Sequence, residues 1–296
     1  MEFPDPLKTV GAQIEAGGEI APPPEFFEAY DVFSAELTNL LVQPWLAVDH
    51  ASRLAEDGNY FRAELGSRSV MFVRESAEQI HAMRNACLHA GYRVCEEESG
   101  RGDHLFCQYH GWYYALDGRL TDPLLRPEQT DRSRFRLPRY AMRIDRGLIF
   151  VDMSKAGPAP PEAGAIDTDV LPGHLADAIV TGRDRVQTTL NWKHLRPWLW
   201  EQPDLVFAEP GFDGVAEFGP TSYVAWQGEK AALVRLAPRF PGHSDIVVIR
   251  LAPPDNSSAE SDGARLAAAL RDAPPTGPLG RRFYDWYWSA LTAAAA

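Results

Sequence analysis

Cysteine is scarce in this chain, three in 296 residues, which excludes a disulfide-built fold and favours a reducing compartment such as the cytoplasm. No apolar run reaches membrane-spanning length, and no early stretch joins a basic start to an apolar core, so neither an anchor nor a secretory leader is expected. Basic runs are missing as well. Lys and Arg number 29 against 41 Asp and Glu, a net charge of −12, and phosphate recognition needs clustered cations. Nucleic acid and anionic membrane are therefore excluded as natural partners. What is present, 45% hydrophobic and 24% charged residues, is the balance of a chain that buries a real core in one or two domains.

Residues 1–24 are rich in Pro, Gly and Glu and read as an arm, mobile or wrapped on a partner. Phe26, Phe27, Tyr30, Phe33, Leu37, Leu40 and Leu41 then follow a helical rhythm over 25–42. From Trp45 to Met153 short strands alternate with turns, among them 60–65, 69–74, 104–107, 140–144 and 147–152. The stretch KAGPAPPEAGA at 155–165 is a linker by composition. Beyond it, strands at 183–190, 221–227, 231–236 and 245–251 alternate with helices opening at Asn191, at 263–270 and at 281–291. The expected fold class is α+β: an arm and helix (1–42), an all-β domain (43–154), a linker (155–166), and an antiparallel sheet with C-terminal helices (167–296). No internal repeat is visible.

Within the all-β stretch, Cys87-Leu88-His89 is followed after seventeen residues by Cys107-Gln108-Tyr109-His110. The spacings C-x-H and C-x-x-H offer two thiolates and two imidazoles from two short loops. That is the donor set of a Rieske [2Fe-2S] cluster, in which histidines replace cysteines on one iron and raise the potential. The outer imidazole edges give an electron a way out to solvent or a partner. Gly91 and Gly111 allow backbone amides to approach cluster sulfurs, and Asp117-Gly118 is a turn dipeptide. Zinc takes the same ligand types, but its sites usually pair two cysteines in one loop and two histidines in another. His50, His81 and His104 lack ligand spacing and read as surface or core histidines, and Cys95 reads as a small buried hydrophobe.

From about Phe33 to Lys193 the chain resembles the large subunits of Rieske non-haem iron oxygenases. The resemblance is carried by Pro44-Trp45, Phe72-Val73-Arg74, Asn85-Ala86-Cys87-Leu88-His89, Cys107-Gln108-Tyr109-His110-Gly111-Trp112, Gly147-Leu148-Ile149-Phe150-Val151 and Asn191-Trp192-Lys193. It implies a Rieske domain followed by a helix-grip catalytic domain, commonly in trimers where one subunit's cluster feeds the mononuclear iron of its neighbour. It also implies a flavin-containing reductase, sometimes with a ferredoxin, drawing on NAD(P)H. Respiratory Rieske subunits, by contrast, carry an anchor and a disulfide beside the cluster, and both are missing.

Ala90 stands where the family usually has Arg, a minor departure. The major one follows Lys193. There the resemblance implies a bridging acid and two histidines spaced H-x4-H, completed by a later carboxylate into an iron triad with open positions. This chain has Gln202, Leu205 and Pro210 at those places, and its second half holds only His174, His194 and His243. Leu, Pro and Trp side chains, Trp198 and Trp200 among them, suit a vacated site, because buried ligands without metal would be unsatisfied. Pro197 and Pro203 are expected to break the helix that would mount the ligands.

The resulting expectation is a subunit of a hetero-oligomeric oxygenase system that is not catalytic alone. Its cluster, held by Cys87, His89, Cys107 and His110, would take electrons from the reductase for the mononuclear iron of an active partner, its own Fe(II) being absent. Two alternatives stand beside it. One is a self-sufficient mono- or dioxygenase or N-demethylase, its iron held by His194, Glu201, Asp204 or Glu209 with His243 or Asp285. The other is a soluble Rieske electron carrier or an architectural subunit.

Overall fold

The computed structural model of the protein describes residues 3–41, 45–123, 134–157, 166–256 and 263–293. Pro44 and residues 158–165, most of the expected linker, lie outside them. The chain divides into two units, 48–179 and 1–47 together with 180–296.

The first of these is almost all strand, because its sequence alternates with period two. In β2 (Asn59–Leu65), Phe61, Ala63 and Leu65 are buried while Tyr60, Arg62 and Glu64 are half-buried. With β1 (Leu46–His50), β3 (Arg68–Ser76), β4 (Gln79–Arg84), β5 (Ser99–Arg101), β6 (Leu105–Cys107), β7 (Trp112–Tyr114), β8 (Leu120–Pro123), β9 (Arg139–Asp145) and β10 (Leu148–Gly157), two sheets form. The larger runs β1-β10-β9-β4-β3-β2-β5 and the smaller β6-β7-β8. Arg146 and Gly147 close the β9–β10 hairpin with φ of 46° and 74°, the positive-φ pair of a tight hairpin turn. Gly147 is required there for a second reason: a Cβ would fall 2.0 Å from His50 Nε2. Met71, Val73, Met83, Leu105, Trp112, Tyr114 and Leu120 form a common core, and Cys87 and Cys107 belong to it.

The other unit is an antiparallel sheet with helices, the α+β arrangement expected. Strands β11 (Ile179–Thr188), β12 (Gly214–Phe218), β13 (Ser222–Gln227), β14 (Lys230–Phe240) and β15 (His243–Ala252) run in the order β11-β15-β14-β13-β12. Helices α1 (Asp5–Glu15), α2 (Glu25–Glu28), α3 (Tyr30–Asn39), α4 (Trp192–Glu201), α5 (Gly263–Asp272) and α6 (Arg281–Ala293) complete it. Leu195 and Leu199 of α4 and Leu266 of α5 pack on the sheet face made by Tyr223, Ala225, Ala232, Val234, Leu236, Ile246 and Val248. A second core joins α1, α2, α3 and α6 to Trp192.

Three local readings change. The Pro- and Gly-rich beginning contains a packed helix, since Leu7, Val10 and Ile14 share one face and are buried. Gly11 lets α6 approach, for a Cβ there would meet the Trp288 ring at 2.3 Å. The helix expected over 25–42 is broken at Ala29, which is extended (ψ 136°) and turns Phe26 onto Tyr287 and Phe27 onto His194. Finally, α4 runs through Pro197 to Glu201. Proline removes one backbone hydrogen bond, at roughly 3 kcal/mol, and the burial of Trp192, Leu195 and Leu199 offsets that. Among the described residues, no helix is long and apolar enough to cross a membrane.

Candidate metal centre

Two loops of matching design carry the four predicted donors. The first follows β4. Buried Asn85 accepts from the amides of Val94 (2.9 Å) and Cys95 (2.8 Å) and donates to the Cys95 carbonyl (2.8 Å), pinning the loop's return. Inside it, the Gly91 amide donates to the Cys87 carbonyl at 2.8 Å. The second loop connects β6 to β7, and there the Gly111 amide donates to the Cys107 carbonyl at 3.0 Å. Gly91 and Gly111 have φ of 74° and 68°, a conformation that glycine adopts without the Cβ penalty. Each loop thus folds back on its cysteine four residues later and presents the histidine between.

The loops bring the four side chains together as two pairs, histidine with histidine and cysteine with cysteine. The Nδ1 atoms of His89 and His110 lie 2.8 Å apart, and the Cys107 thiol is within hydrogen-bonding reach of Cys87. Both cysteines are buried, His89 is exposed and His110 half-buried, so sulfur faces the core and imidazole faces outward. Trp112 stacks on the His89 ring (5.0 Å, 15°) and fixes it. Two thiols and two converging ring nitrogens fit a Rieske [2Fe-2S] cluster in donor type and in polarity.

The sulfurs are also provided with donors. Tyr114 Oη accepts from the Leu88 amide at 3.0 Å, which leaves its own proton free for Cys87 Sγ at 3.1 Å. Burial, reinforced by Cys87, pushes the Tyr114 phenol far above its ordinary value, so it stays a donor. Burial pushes the Cys107 thiol up, while the amides of Tyr109 and His110 directed at it pull it down. Sequence reasoning missed Tyr114. Its one signal was alternation in β7, where Trp112 and Tyr114 point inward and Tyr113 does not. On the outer surface of the loops, Tyr92 and Tyr109 stack at 3.7 Å, both exposed, with Tyr109 against His110 at 4.2 Å.

The remaining histidines of this unit have their own partners. His50 bonds the Leu175 carbonyl (3.0 Å), His81 pairs with Glu75 (2.6 Å) and His104 with Asp103 (2.6 Å). Cys95 is buried against Met71, and burial pushes its thiol up to about 12.

The segment after Lys193 is organised for packing. Asn191 caps α4, its Oδ1 accepting from the Lys193 amide at 2.9 Å, and its Nδ2 donates to the carbonyls of Phe27 and Pro241. Trp192 Nε1 (2.8 Å) and Lys193 Nζ (2.7 Å) both donate to the fully buried Glu36, as does Tyr287 Oη (2.7 Å). Gln202 lies exposed at the C-terminal cap of α4. Leu205, in the 3-10 turn Pro203–Val206, packs against the sheet-face core, and Pro210 is exposed. Arg265 of α5 donates to the carbonyls of Asp204 (3.0 Å) and Phe207 (2.5 Å) and lies 3.6 Å from the Asp204 carboxylate.

Residues considered for a rebuilt iron site are dispersed. His194 stacks on Phe27 at 4.7 Å, Asp285 pairs with Arg281 at 2.7 Å, and His243 opens β15. Glu201 ends α4 and Glu209 is exposed. Among the described residues no three of these side chains converge.

Comparison with known proteins agrees with this geometry. Residues 44–136 match the Rieske [2Fe-2S] domain family. The glycine betaine monooxygenase oxygenase subunit of Chromohalobacter salexigens is 29% identical over 178 residues, 60% of this chain and 40% of that protein. The carnitine monooxygenase oxygenase subunit of Escherichia coli is 27% identical over 207 residues, 64% of this chain and 52% of that protein. The alignments thus span about half or less of these relatives' own length. The crystal structure of the apo quaternary ammonium Rieske monooxygenase CntA superposes with a TM-score of 0.65 at 17% identity. That superposition covers 100% of this chain and 90% of the other, which shows a shared fold.

Proposed function

For a chain that carries a Rieske [2Fe-2S] domain and is homologous to the alpha subunits of Rieske oxygenases, we propose a relaying role. In this reading Cys87, His89, Cys107 and His110 hold the cluster. An NAD(P)H-dependent reductase supplies electrons, and the mononuclear iron they serve belongs to an active partner subunit of a cytoplasmic hetero-oligomer. Bound there, the cluster supplies one-electron uptake and release.

The chain's own residues define how that role is played. Tyr114 and the amides of Tyr109 and His110 place donors on the ligand sulfurs and so favour added negative charge. His89 and His110 present their rings outward, and the exposed Tyr92–Tyr109 stack beside His110 offers a flat aromatic surface for contact.

The observation that carries the second half of the proposal is the segment 202–210. Leu205 packs against an apolar core, and the Arg265 guanidinium is bonded to the carbonyls of 204 and 207. Arg265 thus engages the Asp204 carboxylate as well as these carbonyls, and 202–210 contains no histidine to ligate a ferrous ion.

The test is complementation. The purified, cluster-loaded chain with reductase and NADH is expected to consume no oxygen above the uncoupled background. Adding an oxygenase subunit with intact acid and H-x4-H is expected to give turnover that a His110→Cys variant of this chain abolishes. Substrate-dependent oxygen uptake by the lone chain would replace this reading with the self-sufficient one.

A further inference from the structure

Where β11, β14 and β15 end beside helix α5, the structure has a cleft of about 730 Å3. Its size falls within the roughly 300–1,000 Å3 typical of small-molecule sites. None of residues 191–210 lines it, so it is distinct from the segment where the family pattern mounts iron. Val186, Ala267 and Leu270 contribute apolar surface, and Arg239, His243 and Arg271 contribute charge or donors.

Most of the donors are not used within the fold. Arg271 makes no ion pair or hydrogen bond among the described residues, and neither do the side chains of Gln187, Thr188 and Thr189. Asp245, the one carboxylate in the lining among the described residues, is met by Arg185, which donates to its Oδ2 twice, at 3.0 and 2.5 Å. Arg239 reaches that same oxygen only at 3.5 Å. Arg185 and Arg239 therefore share one carboxylate while Arg271 has none, which leaves a net positive charge over the apolar surface.

We propose that this cleft binds a small organic carboxylate with a hydrocarbon tail. Arg239 and Arg271 hold the carboxylate through charge-assisted hydrogen bonds, the threonines and Gln187 add neutral donors, and the tail lies on Val186, Ala267 and Leu270. A cation is repelled by the same pair, and a neutral alkane leaves the donors unused. The site depends on neither the cluster nor the relaying role.

Calorimetric titration of the cluster-loaded chain with octanoate, octanol and octylamine tests this. Octanoate is expected to saturate one site per chain, octanol to bind at least about tenfold more weakly, and octylamine not to bind. Arg239→Gln combined with Arg271→Gln is expected to weaken octanoate about tenfold or more, with the visible spectrum and the Tm of the free protein unchanged. Should that double variant fold poorly, Thr189→Glu places a like charge at the exposed rim and is expected to abolish octanoate binding. Octanoate binding no tighter than octanol, or binding that survives these substitutions in folded protein, overturns the proposal.

Discussion

The loops at 85–114 and the segment at 191–210 both open on motifs of one family pattern, yet they retain different things. In the loops, scaffold and candidate donors stand together: Asn85, Gly91 and Gly111 shape the turns, and the two histidines they present face each other at 2.8 Å. After Asn191 the contacts are those of a scaffold. Asn191 still caps its helix and Trp192 and Lys193 still clamp Glu36, but the ligand places hold Gln202, Leu205 and Pro210. A motif kept for folding and a motif kept for chemistry look alike in sequence. They separate only when each side chain is asked what it touches.

If Asn191-Trp192-Lys193 is scaffold, breaking it has its effect on stability and leaves the cluster alone. Lys193→Met strands the buried Glu36 without its cation and is expected to cost about 3–5 kcal/mol. Urea unfolding reads the loss, with the Rieske absorption of the folded fraction unchanged. A variant of unchanged stability would break the comparison. Returning a donor to the other side is the converse test. Leu205→His sets a polar imidazole against an apolar core and is expected to destabilise by about 1–2 kcal/mol, with no gain of bound iron. Stabilisation together with extra iron would show that the site was only one residue from competence.

Smaller effects sharpen the loop side. Tyr114→Phe removes the hydroxyl on Cys87 Sγ and leaves the iron content intact. The midpoint potential is expected to fall by roughly 40–90 mV, equivalent to about 1–2 kcal/mol for one electron. An unchanged potential would reduce Tyr114 to a packing residue. The smallest effect concerns His50, whose imidazole burial holds below its ordinary value of 6.5. Above that value neither folded nor unfolded chain is protonated there and stability is full. Below it the unfolded chain takes up a proton that the folded one resists, so stability falls toward the lowered folded value. Urea midpoints at about pH 7.5 and about pH 5.5 should converge in His50→Gln relative to the parent protein.

The candidate quartet was legible because it is local: each loop supplies a Cys and a His within four residues, a spacing no strand or helix pattern produces by itself. Tyr114 was not, since its target Cys87 is 27 residues away and only the fold joins them. The sheets followed from alternation and turn residues. The first helix was hidden by its neighbours, for Pro and Gly at 17–24 coloured the whole arm while Leu7, Val10 and Ile14 already kept helical spacing. The continuity of α4 through Pro197 could not be read locally, because what holds that helix is Glu36, 156 residues from Trp192. The 202–210 departure was visible as missing donors, but Arg265 came from another element altogether.

The measurement that bears most directly on the central claim is the iron-to-chain ratio of the protein purified anaerobically and given excess Fe(II), combined with Mössbauer spectroscopy. About two irons per chain are expected, all in the cluster. About three per chain, the third a high-spin ferrous site lost in Asp204→Ala or His194→Ala, would contradict it and return oxygen activation to this chain.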